Sequence, residues 1–313
     1  MLNRRECFPA LAGLALAGCS GRRKRTIAVI PKATSHMFWL TVQKGAFDAG
    51  RQFDVDIQWN GPASETEFSR QIQIVDSMVT QRVDGIAIAA SDRKALVAPV
   101  ERATAAGIPV TVFDSGLDTT QYVSYVATDN VEAGRVAART LTEMLGGKGK
   151  VGIVMHAPGS ASTMDREKGF TEALAAEAPN IHIVATQYGM SDRSKARAAA
   201  ENILTAHADL NGIFASSEPS SVGASLAIQG RELKDKVSLV AFDASDTMIE
   251  DLRAGAIDAM VVQDAYRMGF EAVKTLVDKL NGKTPPRRVD LHAARVMLKD
   301  LSEPEVKRLL NLN

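Results

Sequence analysis

Short apolar runs rich in β-branched residues alternate with longer amphipathic segments from Thr26 onward. Most of the short runs are almost continuously apolar, which is typical of strands buried on both faces of a parallel sheet. The predicted strands are Ile27–Ile30, Val55–Trp59, Gly85–Ala90, Val110–Phe113, Tyr122–Ala127, Val151–Met155, Ile181–Thr186, Gly212–Ala215, Val237–Phe242 and Ala259–Val262. This alternation predicts a doubly wound α/β architecture.

Helical periodicity fills the segments between the predicted strands. Apolar residues recur at helical spacing in Glu67–Gln81 and in Asn130–Leu145. Breaks containing glycine or proline, at Gly107–Pro109 and Gly146–Gly149, separate helices from the strands that follow. These segments predict helices that connect neighbouring parallel strands.

The number of predicted strands favours two lobes over one sheet. About ten strands exceed the usual size of one compact sheet, and 313 residues are enough for two domains of ordinary size. Each half also opens with a strand, a polar loop and a long helix, at Ile27–Ala46 and again at Val151–Leu174. We therefore expect two lobes of five or six strands, with the switch near Thr128-Asp129.

The N-terminal segment differs from the rest of the chain and is interpreted as a bacterial lipoprotein leader. Two arginines precede an apolar stretch from Cys7 to Gly18 that is too short to span a bilayer. It ends in Leu16-Ala17-Gly18-Cys19, which resembles the cleavage box whose cysteine becomes the lipidated first residue. A signal peptide over residues 1–18 and lipidation at Cys19 are predicted. The alternative is a soluble protein whose first helix is apolar.

Cleavage at this box would leave Cys19 as the sole cysteine of the mature chain, in acylated form. No thiol would remain for a disulfide, a zinc site or a catalytic nucleophile, as suits an oxidising compartment. Residues 19–25 would be a short tether, and its basic part, Gly21–Arg25, would lie beside anionic lipid. The expected location is the periplasm, with the chain lipid-anchored to the cell envelope.

The charge balance argues against a role in binding nucleic acid. Lys plus Arg number 37 and Asp plus Glu also number 37, so the formal net charge is zero. Proteins that bind DNA or RNA use excess positive charge to displace counterions from the phosphates. We therefore expect no nucleic-acid partner.

Ligands of α/β proteins normally bind beyond the carboxyl ends of the strands, and three enzyme signatures are missing there. The loop Pro31–His36 after the first strand has no glycine, unlike the G-x-G-x-x-G turn of dinucleotide-binding enzymes. Gly282–Thr284 lacks the earlier glycine of a phosphate-binding loop and is predicted to be a turn. Gly223–Ala227 resembles a hydrolase elbow, but it ends in alanine inside a helical stretch. No enzyme activity and no cofactor are predicted.

The histidines do not indicate a metal site. They are His36, His156, His182, His207 and His292, and none of them is spaced as a metal-ligand pair. Scattered histidines are usually surface or hydrogen-bonded residues. Only His36, which lies in a loop at a strand end, is kept as a candidate.

Seven short motifs follow one another along the predicted strand ends. They are Ile27–Ile30 with Met37–Trp39 and Lys44–Ala46, Gly107–Val110 leading to Phe113-Asp114, Asp129-Asn130 with Gly134, Asp165-Arg166 with Gly169-Phe170, Phe214-Ala215 with Gly223-Ala224, Val240–Asp243, and Val261–Gln263. In this order they resemble the type 1 periplasmic binding proteins of sugar ABC transporters, the ribose-binding-protein-like group. The resemblance extends from Thr26 to about Leu298.

This resemblance implies two doubly wound parallel-sheet lobes joined by a three-stranded hinge. The N-terminal lobe would comprise residues 26–128 plus 264–291, and the C-terminal lobe residues 129–263 plus 292–313. The chain would cross between them near Thr128-Asp129, Gln263-Asp264 and Leu291-His292. A monosaccharide or polyol would bind in the cleft and stabilise a closed state that docks on an ABC transporter permease. A monomer is expected.

The resemblance also indicates which side chains contact the ligand. Carboxylates, amides and a guanidinium can clamp sugar hydroxyls, which donate and accept at once, and an aromatic ring packs on the apolar C–H face. The candidate ligand-binding residues are Lys32, His36, Phe38, Trp39, Asp114, Ser115, Arg166, Ser191, Ser217, Asp243 and Gln263. Among them, Asp114, Arg166, Asp243 and Gln263 are predicted at or just past strand ends. Alternatively, each aspartate caps a helix or ends a turn, Arg166 is solvated and Trp39 belongs to the core.

Several residues depart from the ribose-type pattern. Asp114-Ser115 stands where that group often has Asp-Arg, and Ser217 stands where an asparagine is common. Lys32 and His36 occupy positions more often held by Ser or Asn, and Ser191 replaces an aromatic residue. The loss of a guanidinium and an aromatic wall favours a differently shaped pentose, a deoxy or branched sugar, or a sugar alcohol over ribose itself.

Three other functions are alternatives to sugar transport. A related transcriptional repressor would need a helix-turn-helix of about 50 to 60 residues before the first strand, where only 25 residues precede it. A sugar-processing enzyme would use Asp114 and Asp243 as paired carboxylates about 5 to 10 Å apart. An autoinducer-binding or chemoreceptor-coupled protein would share the fold and differ in its ligand.

Overall fold

Two six-stranded sheets form the framework of the protein in the computed structural model, which describes residues 23–312. Strands and helices alternate along the chain, which confirms the doubly wound α/β architecture. The predicted signal peptide and Cys19 lie outside the described residues. Between residues 23 and 312, no helix is both long enough and apolar enough to cross a membrane.

Twelve strands and ten α-helices make up the described part of the chain. The strands are β1 (Thr26–Ile30), β2 (Asp56–Trp59), β3 (Gly85–Ile88), β4 (Val110–Phe113), β5 (Ser124–Thr128), β6 (Gly149–Met155), β7 (Ile181–Tyr188), β8 (Gly212–Ala215), β9 (Ser238–Phe242), β10 (Ala259–Gln263), β11 (Arg288–Leu291) and β12 (Ala293–Met297). The helices are α1 (Met37–Gln52), α2 (Phe68–Gln81), α3 (Val97–Ala105), α4 (Asn130–Met144), α5 (Ala161–Glu177), α6 (Arg193–Ala206), α7 (Glu218–Gly230), α8 (Asp246–Arg253), α9 (Ala265–Leu280) and α10 (Pro304–Leu310), with a 3-10 helix at Leu298–Ser302.

The first sheet has the order β11-β5-β4-β3-β1-β2, and all its strands are parallel. The second has the order β12-β10-β9-β8-β6-β7, in which β12 alone runs antiparallel, beside β10. We call the two sheets with their helices the first lobe and the second lobe. In each lobe the strand order reverses beside the first strand of that lobe, β1 or β6. This arrangement leaves a crevice for a ligand at the carboxyl ends of the strands.

The apolar strands are buried on both faces, as their composition predicts. In β1, Ile27 and Val29 pack in a core cluster with α1 and α9, whereas Ala28 and Ile30 face the opposite cluster with α2 and α3. The second sheet is covered in the same way, by α4 and α5 on one face and by α6, α7 and α8 on the other. Because successive residues of a strand point to opposite faces, a strand with helices on both sides must be apolar throughout.

The chain passes between the two lobes three times. It leaves β5 for α4, which packs on β9 and β10, and it leaves β10 for α9, which packs on β4 and β5. The third passage, from β11 to β12, consists of His292 alone. Asp129 and Asp264 start the two crossing helices, and each carboxylate accepts a hydrogen bond from a backbone N–H three residues on, at 3.1 Å and 3.0 Å. Such a cap stabilises a helix by about 1 kcal/mol.

Glycines bring each crossing helix close to the first helix of its lobe. A Cβ atom on Gly134 of α4 would overlap the carbonyl oxygen of Arg166 on α5, and one on Gly169 of α5 would overlap that of Val131. The packing of α1 against α9 is built in the same way, through Gly45 and Gly269. The two lobes therefore repeat one packing arrangement, which in the second lobe holds α5 and its Arg166 against the crossing helix α4.

Three C-terminal elements were not predicted from the pattern. Strands β11 and β12 have mostly exposed or half-exposed residues, because each lies at the edge of its sheet. The helix α10 follows them and packs Val306, Leu309 and Leu310 against the core of the second lobe. An edge strand needs little apolar sequence, so hydrophobic periodicity does not reveal it.

Candidate functional site

The carboxyl ends of both sheets face a common cleft between the lobes. Its cavity has an empty volume of about 320 Å³. Nine of the candidate residues line it, namely Lys32, His36, Phe38, Trp39, Asp114, Arg166, Ser217, Asp243 and Gln263. The cleft is therefore built from residues that lie far apart in the sequence and that the two sheets bring together.

Two candidates, Ser115 and Ser191, do not line this cavity. Ser115 Oγ instead accepts a hydrogen bond from the Ser162 backbone N–H at 3.2 Å, which joins the lobes. Ser191 lies after β7 with φ +54°, and no described residue is a hydrogen-bond partner of its buried hydroxyl. Its backbone N–H donates to the His156 carbonyl at 3.3 Å, so it lies directly behind the cleft wall.

In the first lobe, Lys32 and Asp114 form a buried ion pair. Lys32 Nζ lies 2.8 Å from Asp114 Oδ2, and it also donates to the hydroxyls of Ser160 and Ser162 at 3.1 and 3.0 Å. The ammonium therefore pairs with a carboxylate of its own lobe and donates two hydrogen bonds across the cleft to the second lobe. This lysine neutralises the Asp114 carboxylate and holds the two lobes together.

The counterpart in the second lobe is Asp243. One carboxylate oxygen accepts from Gln263 Nε2 at 2.7 Å, and the other accepts from the Glu218 backbone N–H at 3.1 Å and lies 3.9 Å from Arg166 Nη1. Burial raises the pKa of Asp243, and the charge of Asp114 adds to this, whereas Arg166 and the two hydrogen bonds oppose it. The carboxylate is thus held in one orientation by three neighbours.

Arg166 does not lie at a strand end, contrary to the prediction from sequence. It belongs to the second turn of α5 and reaches the cleft because its side chain is long. Nε donates to Asn130 Oδ1 at 2.8 Å and Nη1 donates to the Ser216 carbonyl at 3.0 Å, while the guanidinium lies 3.9 Å above the Phe242 ring. Hydrogen bonds and stacking therefore fix its plane in the cleft.

Asp114 and Asp243 occupy equivalent places in the two lobes. Each follows a buried phenylalanine at the end of a central strand, β4 or β9, and each has a left-handed backbone, with φ +56° and +70°. Each backbone N–H donates to a carbonyl of the neighbouring strand at 2.9 Å, that of Val126 or Val261. Aspartate tolerates this conformation better than most residues do, so the turn aims both carboxylates into the cleft.

The aromatic pair at the start of α1 forms one wall of the cleft. Trp39 is only 2% exposed and packs edge-to-face on Phe38 and Phe113, at centroid distances of 4.9 and 6.3 Å. It is both a core residue and a cleft residue, because its indole N–H donates to Glu65 Oε1 at 2.9 Å. Trp39 is thus placed both in the core and at the cleft, and its core position does not exclude a contact with a ligand.

Six cleft-lining residues were not among the candidates. They are Glu65, His156, Ser162, Thr163, Glu218 and Pro219. His156 directly follows β6, just as Asp114 directly follows β4, but the spacing of the histidines, which indicates no metal site, does not select it. Glu65 lies in the loop before α2, six residues past β2, where no short pattern marks it.

Glu65 and His156 form a direct contact between the lobes. Glu65 Oε2 lies 2.9 Å from His156 Nε2, while Oε1 accepts from Trp39 and lies 3.3 Å from His36 Nδ1. Burial pushes the pKa of Glu65 up, but His156, His36 and Lys32 together hold it well below its usual value. For His36, burial lowers the pKa and the Glu65 carboxylate raises it, with a net rise.

The cleft is not arranged as a metal centre. In the part of the chain between residues 23 and 312, no group of three or more His, Cys, Asp or Glu side chains could hold a metal ion. The carboxylates in the cleft have basic side chains as neighbours instead, and this arrangement suits an uncharged ligand with many hydroxyls.

Comparison with known proteins identifies the family. The sequence profile of the "Periplasmic binding protein domain" matches residues 27–284. The chain belongs to this family. Periplasmic binding proteins of this kind are solute-binding proteins and not enzymes, in agreement with the missing enzyme signatures, and the resemblance and the two-lobe fold predicted from sequence are confirmed.

Named relatives of this periplasmic binding protein are similar over most of their length. The D-allose-binding periplasmic protein of Escherichia coli K12 is 30% identical over 268 residues, which cover 83% of this chain and 86% of the relative. A carbohydrate transporter solute-binding protein of Agrobacterium radiobacter, solved in complex with D-arabinose, has a TM-score of 0.91 and 32% identity, covering 93% of this chain and 100% of that one. An ABC transporter solute-binding protein of Agrobacterium vitis with bound D-fucose has a TM-score of 0.88 and 35% identity, covering 91% and 99%.

Proposed function

We propose that this periplasmic binding protein is the sugar-binding component of an ABC importer and that it binds one uncharged monosaccharide between its lobes. The observation that carries the proposal is the pair of oriented carboxylates, Asp114 and Asp243, that face one cleft from opposite lobes. Lys32 and Arg166 neutralise them. Relatives are named for D-allose and were solved with D-arabinose or D-fucose, which are ligands of the same chemical class.

Each group in the cleft has a role that a sugar requires. The Asp114 and Asp243 carboxylates would accept hydrogen bonds from neighbouring hydroxyls, and the Arg166 guanidinium would donate to them. Phe38 and Trp39 would pack against the apolar face of the ring. Because these groups come from both lobes, a sugar would favour the closed form over the open one.

The sugar itself is proposed to be pentose-like, a deoxy sugar or a sugar alcohol. Ser115 lies where a second guanidinium is common in the ribose-binding group, and its hydroxyl is engaged with the other lobe. Lys32 donates to two serine hydroxyls and pairs with Asp114, so it contributes charge more than it contributes hydrogen bonds to a ligand. Fewer donors from the protein suit a ligand with fewer hydroxyl groups.

The crossings between the lobes support the proposed transport role. The segments at Thr128-Asp129, Gln263-Asp264 and Leu291-His292 would act as a hinge, and Thr128 Oγ1 donates to Gln263 Oε1 at 2.7 Å between the first two. The closed form would dock on a membrane permease as a monomer. Cys19 would anchor the mature chain to lipid after removal of residues 1–18, with residues 19–25 as the tether.

A binding screen tests this function. Purified protein is heated with pentoses, hexoses, deoxy sugars and polyols in turn, and a ligand that binds only the folded state raises the melting temperature. The best ligand is then titrated calorimetrically into wild type, Asp243→Asn and the control Asp235→Asn, which changes an exposed residue.

We expect Asp243→Asn to weaken binding by about 10- to 100-fold, because it removes a charge-assisted hydrogen bond. Asp235→Asn should bind as the wild type does. Equal affinity in all three proteins, or no response to any compound of this class, would contradict the proposal.

A further inference from the structure

The contact between Glu65 and His156 is not needed to hold either lobe together. Glu65 comes from the loop between β2 and α2 of the first lobe, and His156 follows β6 of the second. Their side chains are 8% and 3% exposed, and Oε2 and Nε2 are 2.9 Å apart. A buried bond that spans the cleft exists only when the cleft is closed, so it contributes to closure and not to the folding of one lobe.

The neighbouring hydrogen bonds determine which atoms donate. Ser220 Oγ donates to the Met155 carbonyl at 3.4 Å, and Ser217 Oγ donates to Ser220 Oγ at 3.0 Å. The Ser217 proton is thus used, so its oxygen accepts from His156 Nδ1 at 2.9 Å. At the other side of the ring, the Glu65 carboxylate can only accept.

Both ring nitrogens of His156 therefore act as donors. A neutral imidazole has one N–H, and an imidazolium has two. The closed cleft thus accommodates His156 as a cation, next to a carboxylate that three donors orient. Charge-assisted bonds of this kind are about twice as strong as neutral ones.

The other charged groups near this pair neutralise one another. From the first lobe, Lys32 pairs with Asp114; from the second, Arg166 faces Asp243 and Arg193 pairs with Glu218. Two groups remain beside the pair, His36 on Glu65 and Glu167 on the His156 backbone. Burial raises the pKa of Glu167, which favours its uncharged form. Apart from the charge of Lys32, which Asp114 already pairs, Glu65 therefore depends on the two histidines for its compensating charge.

We propose that Glu65 and His156 form a proton-dependent clasp that closes the lobes on each other without ligand and so determines how tightly the cleft binds its sugar. The second part rests on the proposed function. A protein that already populates the closed form loses less free energy to closure when it binds, so its apparent affinity is higher. At a pH at which imidazole rings are neutral, only one of the two N–H donors would remain, so the clasp opens and the affinity falls.

The test begins without any sugar. Small-angle X-ray scattering measures the radius of gyration of the wild type, His156→Gln, Glu65→Gln and the control His182→Gln, whose histidine is exposed. Measurements are made at about pH 5.5 and about pH 8, on either side of the ordinary histidine titration. We expect wild type and His182→Gln to be more compact at the lower pH, and both clasp variants to show the same, larger radius at both values.

Affinity is then measured for the best sugar from the screen. Wild type should bind about 10-fold more tightly at the lower pH than at the higher, and the clasp variants should lose that dependence. Circular dichroism checks that each variant is folded, and either variant alone is sufficient for the comparison.

Two results would overturn the clasp. One is a wild-type radius that does not change with pH; the other is a variant radius identical to that of wild type at both values. In the second case, weaker sugar binding would make Glu65 a direct ligand contact instead. Because scattering needs no sugar, failure of the clasp is distinguishable from failure of the proposed sugar-binding function, which would appear as the absence of any ligand in the screen.

Discussion

At the scale of single residues, the cleft depends on buried charges that have partners. Arg166 illustrates this, because it compensates Asp243, donates to Asn130 and the Ser216 carbonyl, and lies on the Phe242 ring. Removing one member of such a group leaves the other charge buried without compensation, which costs more than the pair contributes as a whole.

Replacement of Arg166 should therefore destabilise the protein even without ligand. We expect Arg166→Met to lower the free energy of unfolding by roughly 3 to 5 kcal/mol at neutral pH. The loss should shrink in acid, where Asp243 takes up a proton. The matched control is Arg102→Met, which breaks an exposed pair with Asp76 and should cost less than about 1 kcal/mol. Urea unfolding at two pH values measures both, and equal losses for the two variants would contradict the argument.

His36 should make stability depend on pH in a defined direction. Its pKa is raised by Glu65 against the effect of burial, so its contribution is complete below the ordinary value of 6.5 and is lost as the pH rises through the raised pKa. The melting temperature of wild type should therefore exceed that of His36→Gln most at about pH 6, and the gap should narrow towards about pH 8. His207→Gln, in which the changed histidine lies far along the chain at the end of α6, serves as the control. A constant gap would show that His36 acts by packing alone.

Which site residues can be found from sequence depends on how they reach the cleft. Asp114 and Asp243 directly follow apolar strands, so their position is visible in the pattern. Arg166 was found only through the family resemblance, since a long side chain on a helix leaves no periodic signal. Glu65 was missed because a loop of eight residues between β2 and α2 folds it back onto Trp39, and nothing in the local sequence specifies that path.

At the scale of secondary-structure elements, close helix packing explains several glycines of the family-like motifs as requirements of the backbone. Gly134 and Gly169 let α4 and α5 approach until each backbone touches the other, and Gly45 and Gly269 do the same for α1 and α9. These glycines have no side chain with which to bind a ligand. They place the helix that bears Arg166 and the helix that bears Trp39 at fixed distances from the two crossing segments.

A single methyl group at one of these contacts should disturb both stability and binding. In Gly134→Ala the new Cβ would overlap the Arg166 carbonyl, so α4 and α5 must move apart. We expect a loss of about 1 to 3 kcal/mol in the free energy of unfolding and weaker sugar binding, because Arg166 moves with α5. Gly230→Ala is the control: it places a Cβ at ordinary contact distance, near the end of α7. Thermal unfolding and calorimetry check both effects, and a Gly134→Ala protein that behaves like Gly230→Ala would show that the contact is not tight in solution.

Hydrophobic patterning predicts the interior elements of this fold and misses its edges. All ten strands expected from the pattern are present, some with ends shifted by one or two residues. The two strands it missed, β11 and β12, are edge strands whose exposed residues include Arg288, Asp290 and Arg295. Together with His292 they also form the third connection between the lobes, so this connection is built from strands with little apolar sequence.

At the scale of the whole molecule, the two lobes repeat one arrangement of strands and helices with different residues. In each lobe the first strand leads to a helix that packs on a crossing helix through glycines, and a central strand ends in Phe-Asp with a left-handed aspartate. The sequence shows no repeat beyond strand, loop and helix, because only these few positions are constrained. The repeated geometry brings two equivalent carboxylates to one cleft, and a ligand with hydroxyls on both sides of a ring fits between them.

The charge balance of the molecule makes a prediction about salt. The chain has a formal net charge of zero, and the carboxylates of Asp114, Asp243 and Glu65 each have a basic partner in the cleft. An uncharged sugar would neither gain nor lose long-range attraction on entering such a site. Between about 0.1 and 1 M salt the Debye length falls from about 10 to about 3 Å, which screens exposed charges but hardly affects buried pairs. Calorimetry over this range should give a dissociation constant that changes by less than about twofold. A steep, progressive weakening of binding with salt would instead indicate a charged ligand and would exclude a neutral monosaccharide.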